Sequence, residues 1–273
     1  MEKEKTGLDI DRLGIIMATT MLAFSLTRVI PVADQALEYG ILGIRIPINF
    51  NIKTLISIIT GLLAAVGSDW IIRSHPDYKE RTNNRFLNYQ HLIVPVFSAF
   101  VISITLNQAL GTLEWWIIFA LGSIFFGLTL FSEYTIIDQE NRHPFSSIGL
   151  VALTFALFVI LTIAIRSLGS RVYLEMAIVF IGSFMVSLRV SNIRLQGQTP
   201  LEWIIIISVI MAQLAGGLHY ISLNPTQFGL VLAGILYAMV SLVCGLKQGK
   251  QKLSLLLEPF LMMLVLGIFS FFV

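Results

Sequence analysis

The fold is decided by stretches such as Ser147-Ile-Gly-Leu-Val-Ala-Leu-Thr-Phe-Ala-Leu-Phe-Val-Ile-Leu-Thr-Ile-Ala-Ile-Arg166, which holds no charged residue before its last position. An apolar run of roughly 20 residues is long enough to cross the hydrocarbon core of a bilayer as one helix. Similar runs follow one another along most of the chain. The sequence therefore predicts an all-α, polytopic transmembrane helix bundle.

Composition excludes a soluble fold. Of the 273 residues, 56% are hydrophobic and 12% are charged, and the mean hydropathy is +0.84. A soluble domain carries roughly 25% charged residues. The net charge of +2 is too small to indicate nucleic acid as a partner. The only cysteine, Cys244, has no partner for a disulfide.

Reading the apolar runs between charges predicts nine spans in a single integral membrane domain over 1–273. The outer loop 32–53 and the inner loop 74–90 interrupt them. A short charged leader precedes the first run, and we expect that run to be an uncleaved helix rather than a secretory signal. The predicted spans are 12–31, 54–73, 91–108, 113–135, 147–166, 172–190, 201–218, 226–246 and 253–273.

The charged loops predict an orientation, because loops on the cytoplasmic side of a membrane are enriched in Lys and Arg. With the N-terminus in the cytoplasm and the C-terminus outside, most of the 18 basic residues lie in inner segments. Tryptophans at span ends agree, since they favour the headgroup level. We therefore expect a multi-pass protein of the bacterial inner (plasma) membrane. The outer basic residues are Arg28, Arg45, Lys53, Arg166 and Arg171.

One outer segment has the period of a strand. From Leu42 to Ile52, apolar residues occupy every even position, while Gly, Arg, Pro and Asn fill the odd ones. This alternation predicts an extended segment with one apolar face. It is interpreted first as a cover over the bundle, and alternatively as a gate or as a docking edge for a partner strand.

The estimated midpoints of the spans carry no charge, which argues against an ion-coupled pump. A neutral path lined by Ser, Thr and Gln213 stays open as an alternative. Asp69 and Arg73 stand four residues apart at a span end, the favourable spacing for a helical ion pair. Arg171 and Glu175 repeat the pattern on the outer side, and both pairs are interpreted first as structural.

A polar seam, 68–91, contains most candidate site residues. No His-Glu-x-x-His, nucleophile elbow or phosphate-cradling glycine loop occurs, so no metal and no cofactor is expected. Basic residues there are predicted to bind the headgroups of anionic lipids. The candidate catalytic residues are Asp69, His75, His91, Glu133 and Asp138, and the candidate headgroup-binding residues are Arg73, Lys79, Arg81 and Arg85.

Three segments carry a family resemblance: Ser68-Asp-Trp-Ile-Ile-Arg-Ser-His-Pro76, Asn88-Tyr-Gln-His-Leu-Ile-Val-Pro95, and Leu218-His-Tyr220 with Gln227-Phe-Gly229. They resemble an uncharacterised bacterial family of multi-pass membrane proteins that carries only a domain-of-unknown-function label. The resemblance implies the same helical architecture over most of the chain. It implies no activity, cofactor or site residue.

Three functions follow from these features. The leading hypothesis is a non-enzymatic structural or partner-binding component of the membrane, whose partners are membrane lipids and, as an open alternative, other membrane proteins. The second is an inner-face enzyme acting on a lipid or prenyl substrate, with Arg73 joining the candidate catalytic residues. The third is an uncoupled transporter or channel.

Overall fold

A computed structural model describes residues 10–29, 37–41, 44–48, 52–74, 87–137, 144–249 and 252–272. Within them, two short strands and a 3-10 helix accompany nine α-helices. The strands are β1 (Leu37–Ile41) and β2 (Ile44–Ile48), and the 3-10 helix is Leu87–Leu92. The helices are α1 (Ile10–Val29), α2 (Ile52–Arg73), α3 (Ile93–Gln108), α4 (Glu114–Ile137), α5 (Pro144–Ser167), α6 (Val172–Arg194), α7 (Leu201–His219), α8 (Pro225–Lys247) and α9 (Lys252–Phe272).

The predicted all-α bundle is confirmed, and every predicted span coincides with a helix to within a few residues. Of the described helices, the seven from α2 to α8 are long and apolar enough to cross a membrane. Helix α9 contributes a shorter apolar stretch, Leu255–Ser270. The chain is thus a multi-pass helical bundle, while nine crossings stay a prediction.

Helix α3 joins the two halves of the bundle. One hydrophobic cluster unites α1 to α4 around Phe24, Leu106 and Phe126, and the other unites α3 with α5 to α8 around Val101 and Phe158. Pro95 does not interrupt α3, because it is the third residue of the helix, and the first four N–H groups of an α-helix have no partner within that helix. The 3-10 helix Leu87–Leu92 continues directly into α3.

The predicted extended segment is a strand over 44–48, which confirms that part of the prediction. It pairs antiparallel with β1, with Leu37 opposite Ile48 and Ile41 opposite Ile44. Strand β1 was not predicted, and Ile52 begins α2 instead of ending the strand. Positions 42–43 and 49–51 lie outside the described residues, and the predicted contact with the bundle stays a prediction.

The tryptophans lie at helix ends as predicted, with one difference in environment. Trp70, Trp116 and Trp203 are exposed, whereas Trp115 is buried. Trp115 stacks on Phe119, and the guanidinium of Arg28 from α1 lies 4.9 Å from the centre of its ring. A cation held over an indole face is favourable, so Trp115 ties α1 to α4 instead of facing headgroups.

Gly229 lets α8 approach α5 closely. A Cβ at this position would lie 2.9 Å from Cγ1 of Ile163 and 3.2 Å from the carbonyl oxygen of Val159. The backbone of α5 cannot yield as a flexible side chain would. The glycine of the Gln227-Phe-Gly229 segment is therefore required by helix packing.

Gly229→Ala is expected to lower the free energy of unfolding by about 1–3 kcal/mol, because overpacking a filled core costs that much. The matched control is Gly149→Ala on α5, where a Cβ meets nothing within 4 Å. That change should be neutral or stabilising by up to about 1 kcal/mol, since alanine favours a helix over glycine. Unfolding of both variants in lipid–detergent micelles measures the difference, and equal stabilities would contradict the packing account.

Candidate functional site

The Arg189 cluster is centred on a buried ion pair between α4 and α6. Nε of Arg189 donates to Oε1 of Glu133 over 3.0 Å, and a second guanidinium nitrogen donates to Oε2 of the same carboxylate. The two side chains are 6% and 1% exposed. Arg189 also donates to the side-chain oxygen of Asn192, one turn along α6. Two parallel charge-assisted hydrogen bonds stabilise the pair and fix the orientation of the guanidinium relative to the carboxylate.

Asp69 and His91 complete this cluster at the end of α2. A carboxylate oxygen of Asp69 lies 2.7 Å from Nε of Arg73, and the other lies 3.6 Å from Nε2 of His91. Arg189 is close enough to His91 to act on it electrostatically. Four sequence candidates, Asp69, Arg73, His91 and Glu133, therefore lie in one region around Arg189.

Gln90 is the unusual residue of this region. Its side chain is 3% exposed, yet neither of its amide atoms has a hydrogen-bond partner among the residues that the structure describes. Burying an unpaired amide is unfavourable. The Gln90 side chain therefore has a donor and an acceptor that the described helices leave unsatisfied. The other sequence candidates fall outside the described residues; these are His75, Lys79, Arg81, Arg85 and Asp138.

The Arg166 cluster joins α5, α6 and α7. Nη1 of Arg166 lies 3.0 Å from Nδ1 of His219, and Nη2 donates to the carbonyl oxygens of His219 and Ile221. Glu175, 1% exposed, places Oε2 2.5 Å from the same histidine nitrogen and 3.7 Å from the guanidinium. The guanidinium also lies over the ring of Phe228. Arg166 thus neutralises Glu175 and satisfies carbonyls at the end of α7.

This arrangement corrects one prediction. Glu175 pairs with Arg166 and His219 and not with Arg171, which is exposed at the start of α6. The i, i+4 spacing places Arg171 and Glu175 on one side of the helix, but Glu175 faces the bundle. The two tertiary partners reach it there, and Arg171 does not.

The Arg194 cluster joins α6 to α8 and α9. Arg194 donates to Oγ of Ser241 and to the hydroxyl of Tyr237, and its guanidinium lies 3.5 Å from Oε1 of Glu258. The Tyr237 and Ser241 hydroxyls donate to the same carboxylate oxygen, over 3.0 and 3.2 Å. Glu258 is immediately followed by Pro259 inside α9. The cluster therefore anchors the last helix to the bundle.

The Arg166 cluster lies at one end of the bundle, and the Arg189 and Arg194 clusters lie at the other. Helix α6 carries Glu175 near its start and Arg189 near its end, and the separation along an α-helix at about 1.5 Å per residue is about 21 Å. Nothing in the local sequence marked Arg189 or His219 as site residues. The usable signal for Arg189 was a charge just inside an apolar run, with Glu133 at a matching distance from the end of its own span.

The described part of the chain contains no group of three or more His, Cys, Asp or Glu side chains that could hold a metal ion. At the centre of the spans the buried polar groups are mostly hydroxyls. Several donate to a carbonyl one turn earlier in their own helix, as Thr60, Thr154 and Ser208 do. Others join helices, as Ser103 does when it donates to Ser57 over 2.7 Å.

Helices of this length and apolarity, with charged pairs at both ends of the bundle, define a multi-pass integral membrane protein. The chain belongs to the DUF5656 family, described as a protein of unknown function, whose profile matches residues 32–273. The match includes all three segments that carried the resemblance and begins after α1. Searches of curated proteins and of solved structures gave no match.

Proposed function

We propose that this protein is a non-enzymatic, structural or partner-binding component of the membrane. The observation that supports this most is that the buried charges are used to join helices. Glu133 with Arg189 and Glu175 with Arg166 each link different helices through buried pairs. Breaking such a pair leaves an uncompensated charge and is strongly destabilising, so these groups serve the architecture of the bundle.

The hydroxyl groups inside the bundle weigh against an uncoupled transporter. A polar path needs hydroxyls that can exchange partners with a permeating molecule. Thr154 and Thr162 instead donate to carbonyls of their own helix. Gln213, the polar side chain proposed for such a path, is exposed on the outside of α7 and not directed into the bundle.

In this proposal the protein lies in a bacterial inner membrane, with its N-terminus in the cytoplasm and its C-terminus outside. The Arg189 cluster then lies at the cytoplasmic edge, where Arg73 is 56% exposed. Anionic headgroups attract a basic side chain at this level by about 1 kcal/mol each. Arg73, Lys79, Arg81 and Arg85 are the proposed contacts with the lipid.

Extraction in native-lipid nanodiscs, followed by mass spectrometry, tests the binding role. The expected result is a fixed stoichiometry with a second membrane protein or a second copy of this chain. Arg171→Met, which changes an exposed arginine outside the clusters, should leave that stoichiometry unchanged. Repeated recovery of the protein as a single copy with lipids alone would overturn the proposal.

A second candidate is an inner-face enzyme acting on a lipid or prenyl substrate. It is favoured by the 3.6 Å approach of Asp69 Oδ1 to Nε2 of His91 and by the buried amide of the neighbouring residue Gln90, which has no hydrogen-bond partner among the described residues. A histidine oriented by a carboxylate is the usual general base or acid of an active site. The amide of Gln90 would supply hydrogen bonds to the polar part of the substrate.

This candidate predicts that lipid bound at the Arg189 cluster depends on these side chains. Native mass spectrometry of wild-type protein should retain a phosphate-bearing lipid that Gln90→Leu and His91→Leu lose. Arg171→Met serves again as the control. If all variants retain the same lipids, the enzymatic interpretation has no support.

A further inference from the structure

Helix α7 lies at the periphery of the bundle and presents one face to the surroundings. Only 33% of its most apolar stretch is buried, against 61% for α3 and α8. Ile204, Ile207 and Met211 pack inward, and the opposite face is exposed. Most exposed side chains on a membrane-spanning helix are apolar and contact lipid. Gln213 breaks this pattern, because it is exposed at the centre of that face.

A primary amide facing hydrocarbon lacks any hydrogen-bond partner, and transfer of an unpaired amide into an apolar medium is unfavourable. Glutamine side chains in membrane helices are found hydrogen-bonded across helix–helix interfaces. Gln213 lies about three residues past the middle of α7, so its side chain is too short to reach the headgroups. Its partner must therefore come from another helix in the membrane.

The surroundings of Gln213 have the pattern of a helix–helix seam. Spacings of four, three, four and three residues separate Ile206, Ile210, Gln213, Gly217 and Tyr220, which is the heptad period of a coiled coil. An open groove of about 280 Å³ on this face is lined by Ile210, Gln213, Leu214, Gly217 and Leu218. The first four stand at i, i+3, i+4 and i+7, the four residues that form a hole for one knob of a facing helix.

We infer that the α7 seam, Ile206 to Tyr220, binds a second copy of this chain, with the two Gln213 amides hydrogen-bonded to each other. Copies in one membrane share the same insertion, so a two-fold axis along the membrane normal makes the two α7 helices parallel. Gln213 then meets Gln213 at the same depth. An amide has both a donor and an acceptor, so two identical amides complement each other.

Gly217 supports the same partner. It lies one turn beyond Gln213 on the exposed face, and a Cβ there would meet nothing within 4 Å. Small residues at such positions allow two helix backbones to approach closely in a membrane. This inference builds on the proposed binding role and adds the partner to it.

Energy transfer between differently labelled copies in liposomes, followed over a series of lipid dilutions, tests the dimer. Wild-type protein should associate, and Gln213→Leu should weaken the association about tenfold, as expected for loss of interhelical hydrogen bonds. Gln213→Asn, which keeps the amide, should retain most of it. Leu121→Ala, on the exposed face of α4, should have no effect. Unfolding of each variant confirms that the bundle is intact.

Disulfide trapping tests which helix faces meet in the dimer. In a Cys244→Ser background, Ile206→Cys should form a disulfide with its own copy, whereas Leu121→Cys should not. A monomeric wild type, or equal association of wild type and Gln213→Leu, would overturn the inference. Trapping of only a different protein by Ile206→Cys would also overturn it, while leaving the proposed binding role standing. A dimer recovered without any other protein supports both.

Discussion

Replacing Glu133 by leucine is expected to lower the free energy of unfolding by about 3–5 kcal/mol. The change leaves the guanidinium of Arg189 buried without its carboxylate, and an uncompensated buried charge has a cost of that size. Titration with dodecyl sulfate in lipid–detergent micelles, followed by circular dichroism, measures it. Glu114→Leu is the matched control on the same helix, because Glu114 is exposed and should change stability by less than about 0.5 kcal/mol.

The double variant Glu133→Leu with Arg189→Leu separates the pair from its parts. Removing both charges together is expected to be neutral or stabilising, because buried ion pairs are often replaced by apolar residues at a gain of about 1–4 kcal/mol. A double variant that is as unstable as the sum of the two single ones would contradict the account. It would mean that the side chains act separately and not as a pair.

Arg166→Met is expected to lower the free energy of unfolding by about 3 kcal/mol or more, the second large effect. Methionine keeps much of the side-chain volume but leaves Glu175 without its guanidinium partner. It also leaves the carbonyl oxygens of His219 and Ile221 without a donor at the end of α7. The loss should appear in the same dodecyl sulfate titration.

The control for this change is Arg171→Met. Arg171 lies five residues further along the chain, is exposed, and is not the partner of Glu175. Its replacement should leave stability within about 0.5 kcal/mol of the wild type. If Arg171→Met is the more damaging of the two, the helical i, i+4 pair exists after all and the tertiary cluster does not.

Much of the fold could be predicted because the physics that sets it is local. Each span is a run of apolar residues, and its length follows from the bilayer thickness. The alternation around Pro47 likewise marked a strand. Its partner β1 was missed although Leu37, Tyr39 and Ile41 alternate with Glu38 and Gly40, because this alternation covers only five residues. Pairing between strands depends on a neighbour that one segment alone cannot reveal.

The site was predictable only in part, since ion pairs between helices depend on which faces meet. Asp69 and Arg73 lie four residues apart on one helix, and that pair could be predicted. The partners of Glu175 come from α5 and α7, 53 residues apart in sequence, and the spacing of Arg171 pointed to the wrong cation. Arg189 was overlooked because its carboxylate lies on α4, 56 residues away.

Labelling of single cysteines from outside the cell tests most directly whether the two polar edges lie on opposite faces of the membrane. In a Cys244→Ser background, Arg171→Cys marks the edge of the Arg166 cluster and Lys247→Cys the edge of the Arg194 cluster; both native residues are exposed. A membrane-impermeant maleimide is predicted to label Arg171→Cys in intact cells, and Lys247→Cys only after permeabilisation. Equal labelling of both positions in intact cells would contradict the account.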